Sequence, residues 1–144
     1  MRAVVQRASR ASVTVDGEVV GALHGPGLVV LVGAAVGDGE GDAALVARKV
    51  ADLRVLRGEL SAVDAGAPVL VVSQFTLLAD TRRGRRPSWS GAAPGPVAEG
   101  LVEAVVAGLR ARGLDVSTGV FGADMALELV NDGPVTILLD TADG

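Results

Sequence analysis

The chain contains no cysteine, a single histidine, and only 2% aromatic residues among its 144 positions. Without cysteine there is no disulfide framework, no thiol nucleophile and no thiolate metal site. The one histidine, His24, stands in a turn just before Gly25-Pro26. No G-x-S-x-G elbow supplies a serine for it to activate, so a histidine-based triad is unsupported. Neither a G-x-G-x-x-G fingerprint nor a phosphate-binding P-loop occurs. The acidic stretch DGEGD at 38–42 begins like a calcium loop, but Ala43 fills the position that needs glycine and Lys49 the position that needs glutamate. No metal and no cofactor are therefore expected. Long apolar runs are missing too: Leu28 to Val36 is far short of the ~20 residues a membrane helix requires. Arg2, Arg7 and Arg10 occupy the ground where a secretion signal would carry its apolar core. The expectation is a soluble, cytoplasmic protein with no membrane partner.

What is abundant is Val, Leu and Ala, which bring the apolar share to 49%. A core of small branched side chains favours sheet. A chain of this length fits one domain, residues 1–144, able to bury roughly 68–70% of its unfolded surface. The net charge of −4 argues at first against a nucleic-acid partner, but it hides a polarity. Residues 1–90 carry a net +2 and residues 91–144 a net −6. Within the basic part, TRRGRRPSWS places Arg82, Arg83, Arg85 and Arg86 within five residues. Such a run can meet phosphates; a solvated loop is the equal alternative.

Along the chain, residues 3–36 read as three strands in an antiparallel meander, with Asp16-Gly17 and Gly25-Pro26-Gly27 as turns. Leu45, Val46, Lys49, Val50 and Leu53 then line one face of a helix with acids in its first turn. Pro68 to Phe75 is a nearly continuous apolar run, hence a buried strand. Residues 76–95 lack periodicity and predict a long ordered loop of the kind that carries function. A second helix is expected over Pro96 to Arg112, ended by Gly113. Three short strands, DVSTG, ADMALELV and PVTILLDT, close the chain. The fold class is thus α+β, a predominantly antiparallel sheet or partial barrel packed with two main helices.

Two polar segments interrupt this pattern. Ser73, Gln74 and Thr76 end an apolar strand at the mouth of the basic loop, where side chains often cap a strand by bonding the backbone. Asn131-Asp132-Gly133-Pro134 separates two apolar runs and consists of the commonest turn formers. Taken singly, neither decides between local structure and chemistry.

Together they resemble one family. SQFTL at 73–77, GRRPSWS at 84–90, FGADM at 121–125 and NDGPVT at 131–136, with the opening MRAVVQRASRASVTV, are similar to the D-aminoacyl-tRNA deacylases over nearly the whole chain. Two departures show. An acidic hairpin usual in the family is replaced by a direct run from LRVLRGEL to SAVDAG, and Trp89 stands where phenylalanine is usual.

The resemblance implies a homodimeric carboxylic ester hydrolase with a DTD-like fold. Its substrates would be D-aminoacyl-tRNA and, lacking a side chain to reject, glycyl-tRNA. It implies a cis Gly133-Pro134 peptide inserted into the partner's pocket, with its carbonyls facing the substrate's amino acid so that an L side chain has no room. Proline is the residue before which the cis form is least costly. Arg7 would brace this loop, with Val135, Thr136, Phe121 and Met125 completing the substrate-binding set. The N–H groups near Phe75 and Thr76, within the catalytic segment Ser73-Gln74-Phe75-Thr76, would hold the oxyanion. The tRNA's terminal 2′-hydroxyl would help activate water, and Arg82, Arg83, Arg85 and Arg86 would bind the tRNA. The rival from another class is a non-enzymatic RNA-binding or interaction module. For it the arginine run speaks, while the scarcity of aromatic side chains for base stacking speaks against it.

Overall fold

The computed structural model describes residues 1–144. The strand that organises it is β1, Arg2–Val15, which pairs antiparallel with three others. On one side its first half meets β3 (Gly27–Gly33) and its last residues meet β2 (Glu18–Ala22). On the other side it pairs along most of its length with β6, Ala126–Asp140. The expected meander is therefore corrected: β3 pairs with β1 and not with β2. A strand of 14 residues is long enough to take both partners end to end on one edge.

Two crossovers extend the sheet with parallel strands, as helical connections require. From β3 the chain passes through α1 (Glu40–Asp52) and the short α2 (Ala62–Ala65) to β4, Val69–Ser73. From β4 it passes through the arginine-bearing loop and α3 (Gly95–Ala111) to β5, Val116–Thr118. The order is β2-β1-β3-β4-β5, with β6 on β1. The strip curls until β2 approaches β5, backbone to backbone at Gly21 and Thr118. The result is a mixed α+β fold with a nearly closed, barrel-like sheet. No helix is long and apolar enough to cross a membrane.

The core has two parts, and they explain the unbroken apolar runs of β3 and β4. Leu28, Val30, Val32, Val69 and Val71 face α1 and α3 in the larger cluster. The alternate residues Val29, Leu70 and Val72 face the opposite way, into a smaller cluster with Ala8, Val13 and Leu23. Strands buried on both faces lose the alternation seen when one face is wet. Leu31, Met125, Leu127 and Leu129 cover the smaller cluster.

Two further differences from the sequence reading bear on function. The strand predicted to reach Phe75 stops at Ser73, and Phe75–Leu78 forms a 3-10 turn that opens the long loop. The residues NDGP do not join two hairpin strands either. The two runs around them are one strand, β6, and both halves pair with β1. Asn131 pairs with Ala8 and Thr136 with Gln6, so Asp132 to Val135 leave the ladder opposite the single residue Arg7. They form a bulge of four residues against one, projecting from an otherwise continuous strand.

Candidate active site

The 3-10 turn sits where β4 ends beside the end of β3. Gln74 N–H donates to Val32 O (2.7 Å), which carries the parallel ladder one step past the strand. Gly33 makes this possible, because a Cβ there would fall 2.6 Å from Gln74 O. Within the turn the first hydrogen bond is Leu77 N–H to Gln74 O (3.2 Å). The N–H groups of Phe75 and Thr76 precede it, as the first donors of any helical segment do, and lack an intrahelical acceptor. Gln74 Nε2 donates to Thr76 Oγ1, which engages the threonine hydroxyl within its own turn.

Beside the turn lies a cleft of about 620 Å³. Ser73, Gln74, Phe75, Phe121 and Met125 line it, together with Trp89. Phe75 and Trp89 meet edge to face, centroids 5.6 Å apart, although both are substantially exposed. Val72, Met125 and Leu127 connect its floor to the smaller core cluster. Its walls hold no histidine, lysine, arginine or glutamate; the one ionisable side chain is the exposed Asp124. Thr76 is half-buried and outside the lining. A neighbouring hollow of about 800 Å³, between α3 and residues 118–121, shares Ser73 and Phe121 with the cleft.

The other expected substrate-binding residues form a second group, and none of them lines the cleft. The Gly133-Pro134 peptide is cis and both residues are exposed, at the tip of the bulge. Arg7 is mostly buried; its Nε donates to Asp132 O (3.0 Å) and its Nη1 to Val55 O (3.2 Å). Asn131 closes the base of the bulge, with Nδ2 donating to Thr136 Oγ1 (2.9 Å) and Oδ1 accepting from Val135 N–H (3.3 Å). Gln6 Nε2 also donates to Thr136 Oγ1 (3.2 Å). Thr136 thus anchors the bulge to β1, while Val135 is half-buried. Gln6, Asn131 and Asp132 were not singled out in the sequence as site residues; their side chains act through partners up to 130 positions away. Asp132 carries a further ion pair, to Arg57, whose guanidinium holds its carboxyl below the usual carboxylate range.

The four arginines of the loop are all exposed, but they are not equivalent. Asp80 and Ser88 pair backbone to backbone at the loop's neck (2.7 and 2.9 Å). The Asp80 carboxylate takes both Nε and Nη2 of Arg82 (2.9 and 2.7 Å) and its backbone N–H (3.0 Å). Those bonds hold the Asp80 carboxyl down at about 2. Arg83, Arg85 and Arg86 make no ion pair within the chain.

Comparison with known proteins places the whole chain in one family. Residues 4–140 match the family model described as D-Tyr-tRNA(Tyr) deacylase. The chain is 69% identical over 140 residues to the D-aminoacyl-tRNA deacylases of Kineococcus radiotolerans and of Beutenbergia cavernae. Each alignment covers 97% of this chain and 99% of the relative. A solved structure named c-Myc DNA Unwinding Element Binding Protein superimposes with a TM-score of 0.90 at 39% identity, over 98% of this chain and 99% of that one. Another, described as a probable eukaryotic D-amino acid tRNA deacylase, shares the fold at 16% identity with a TM-score of 0.80, over 96% of this chain and 97% of that one. The chain belongs to the D-Tyr-tRNA(Tyr) deacylase family.

Proposed function

We propose that the chain hydrolyses the ester of D-aminoacyl-tRNA, and of glycyl-tRNA, in a cleft completed by the bulge of a second copy. The observation that carries this reading is the separation of the two groups. The bulge begins at Asp132, five residues along β6 from Leu127 on the cleft wall, or about 17 Å of extended strand. An exposed Gly-Pro tip that serves no cleft of its own chain is suited to the cleft of another.

The chemistry asked of the cleft is modest. An aminoacyl ester is already activated, so water attacks its carbonyl carbon and the electron pair moves onto the carbonyl oxygen. The N–H groups of Phe75 and Thr76 stabilise that charge, which is the largest service such a site provides. The intermediate collapses by breaking the bond to the 3′ oxygen, which leaves as the tRNA hydroxyl while the amino acid departs as its carboxylate. The substrate's 2′-hydroxyl assists the attacking water, in keeping with a cleft whose one ionisable side chain is the exposed Asp124. Gly133 and Pro134 act as a wedge whose carbonyls fill the space of an L side chain, while glycine passes. Such steric exclusion exceeds the ~1–3 kcal/mol that sensing one methylene supplies. Arg83, Arg85 and Arg86 meet tRNA phosphates, and all 144 residues act as one domain in the cytoplasm.

Mixing two impaired variants, one blocked in its cleft and one slowed at its bulge, tests the arrangement. One carries Ala123→Trp, which fills the cleft but leaves the bulge; the other carries Gly133→Ala, which perturbs the bulge but leaves the cleft. Random pairing in a two-fold dimer restores about a quarter of the sites, each pairing an intact cleft with an intact bulge. No recovery after verified subunit exchange, or a monomer in solution, overturns the cross-subunit reading. If neither D-aminoacyl-tRNA nor glycyl-tRNA is hydrolysed by the wild-type chain, the rival of a non-enzymatic nucleic-acid-binding module takes its place.

A further inference from the structure

The tight turn over residues 56–60 has a use in this chain. Leu56 N–H donates to Leu60 O (3.0 Å), closing a tight turn in which Gly58 and Glu59 both take positive φ (79° and 58°). Arg57 enters that turn and projects to the bulge. Its Nε donates to Asp132 Oδ2 (3.0 Å) and its Nη2 to Asp132 Oδ1 (2.7 Å), a bidentate pair. Such forks fix geometry as well as charge. Arg7 reaches the same residue from β1, through the Asp132 carbonyl and, at 3.5 Å, its carboxylate. Arg7 also holds Val55 O, two residues before Arg57, so the turn and the bulge are tied to one buried guanidinium. Asp132 is the residue immediately before Gly133. Its carboxylate is held on both oxygens and its carbonyl on a third bond, so the residue that leads into the tip is restrained from two sides.

We infer that Arg57 is a positioning residue for the Gly133-Pro134 tip, clamping it through Asp132 in concert with Arg7. The inference rests on the wedge reading above for its catalytic consequence, though not for the clamp itself. Arg57 does not touch substrate; it sets where the tip carbonyls stand. Its side chain is 70% exposed, so its removal leaves the core untouched.

The test compares Arg57→Gln, Asp132→Asn and the double variant, with Arg57→Lys as the conservative replacement. Amide hydrogen exchange at Val135, whose N–H is bonded to Asn131 Oδ1 (3.3 Å), reads the tip directly. Single-turnover hydrolysis of D-Tyr-tRNA and its KM read the consequence. Arg57→Gln is expected to speed exchange roughly fivefold, the order an exposed ion pair supports. The hydrolysis rate falls with it while KM stays unchanged. The double variant is no worse than Asp132→Asn alone, since both remove one interaction. Arg57→Lys recovers part of the protection, because a lysine cannot make the fork. Unchanged exchange in Arg57→Gln overturns the clamp, as do losses that multiply in the double variant. A change confined to KM also overturns it and makes Arg57 a tRNA contact. Faster exchange with an unaltered hydrolysis rate upholds the clamp and instead refutes the wedge.

Discussion

Replacing Gly133 by alanine asks the most of the bulge for the fewest atoms. The residue has φ +122°, and a Cβ built on it lies 2.5 Å from Arg7 Nη2, 3.2 Å from Val135 Cγ2 and 3.3 Å from Val135 N. Alanine disfavours that backbone region, and holding a residue in such a region costs about 1–3 kcal/mol. The alternative is for the tip to rotate, and the Cβ also pushes on a guanidinium that is only 14% exposed and already bonded to Asp132 O and Val55 O. Either the loop keeps its shape under strain or the tip carbonyls move. If the strain is relieved only by moving the carbonyls, the same 1–3 kcal/mol appears in the barrier. At 1.36 kcal/mol per decade this is a loss of roughly 5- to 160-fold in rate. The assay is single-turnover hydrolysis of D-Tyr-tRNA beside L-Tyr-tRNA, with thermal unfolding as control. The bulge is exposed and away from both core clusters, so the melting temperature should move by only a few degrees. A Gly133→Ala variant that keeps more than half the wild-type rate and the wild-type preference for D over L would refute the reasoning.

Thr76→Ala should cost less than tenfold, because the hydroxyl it removes is already taken by Gln74 and the proposed oxyanion donors are backbone. A loss as large as that from filling the cleft would make the hydroxyl catalytic. Replacing Arg83, Arg85 and Arg86 with Gln should flatten the dependence of log K on log salt for tRNA by about 2 to 3, as three lost phosphate contacts dictate. Adding Arg82→Gln should change the slope little further, because Asp80 already neutralises that guanidinium. An unaltered slope in the triple variant would return those arginines to the role of a solvated loop.

Much of the scaffold was legible because it depends on local pattern. The helical spacing of Val46, Val50 and their neighbours places α1, and Asp16-Gly17 marks the turn between β1 and β2. The helix α3 begins one residue before the expected Pro96 and ends one before Arg112. What pattern does not show is pairing at a distance. Nothing in β3 or β4 says that they run parallel, since an apolar run buried on two faces looks the same in either orientation. The residues NDGP are equally suited to a hairpin turn and to a bulge. Only the pairing of Ala8 with Asn131 and Gln6 with Thr136 makes the difference. The motifs pointed to the family through resemblance, but they could not show that Arg7 and Met125 belong to separate places on the chain. Arg57 was illegible for the same reason: its partner Asp132 is 75 positions away.

That division has a consequence for which positions tolerate change. On the mechanism proposed above, a cleft working through backbone N–H groups and a wedge working through backbone carbonyls would need few particular side chains in contact with the substrate. What they need is that two short backbone segments stand still. The structure devotes its polar side chains to that end. Gln74 bonds within its turn, Asn131 and Thr136 cross the base of the bulge, and Arg7 and Arg57 hold Asp132. Substitutions that loosen these supports should therefore lower the rate without altering what touches the ester, and their effects should be largest where a support bonds main chain. Arg7, which holds two carbonyls from a mostly buried position, is the side chain whose loss should be felt most. The solvated fork of Arg57 makes a smaller contribution through the same residue.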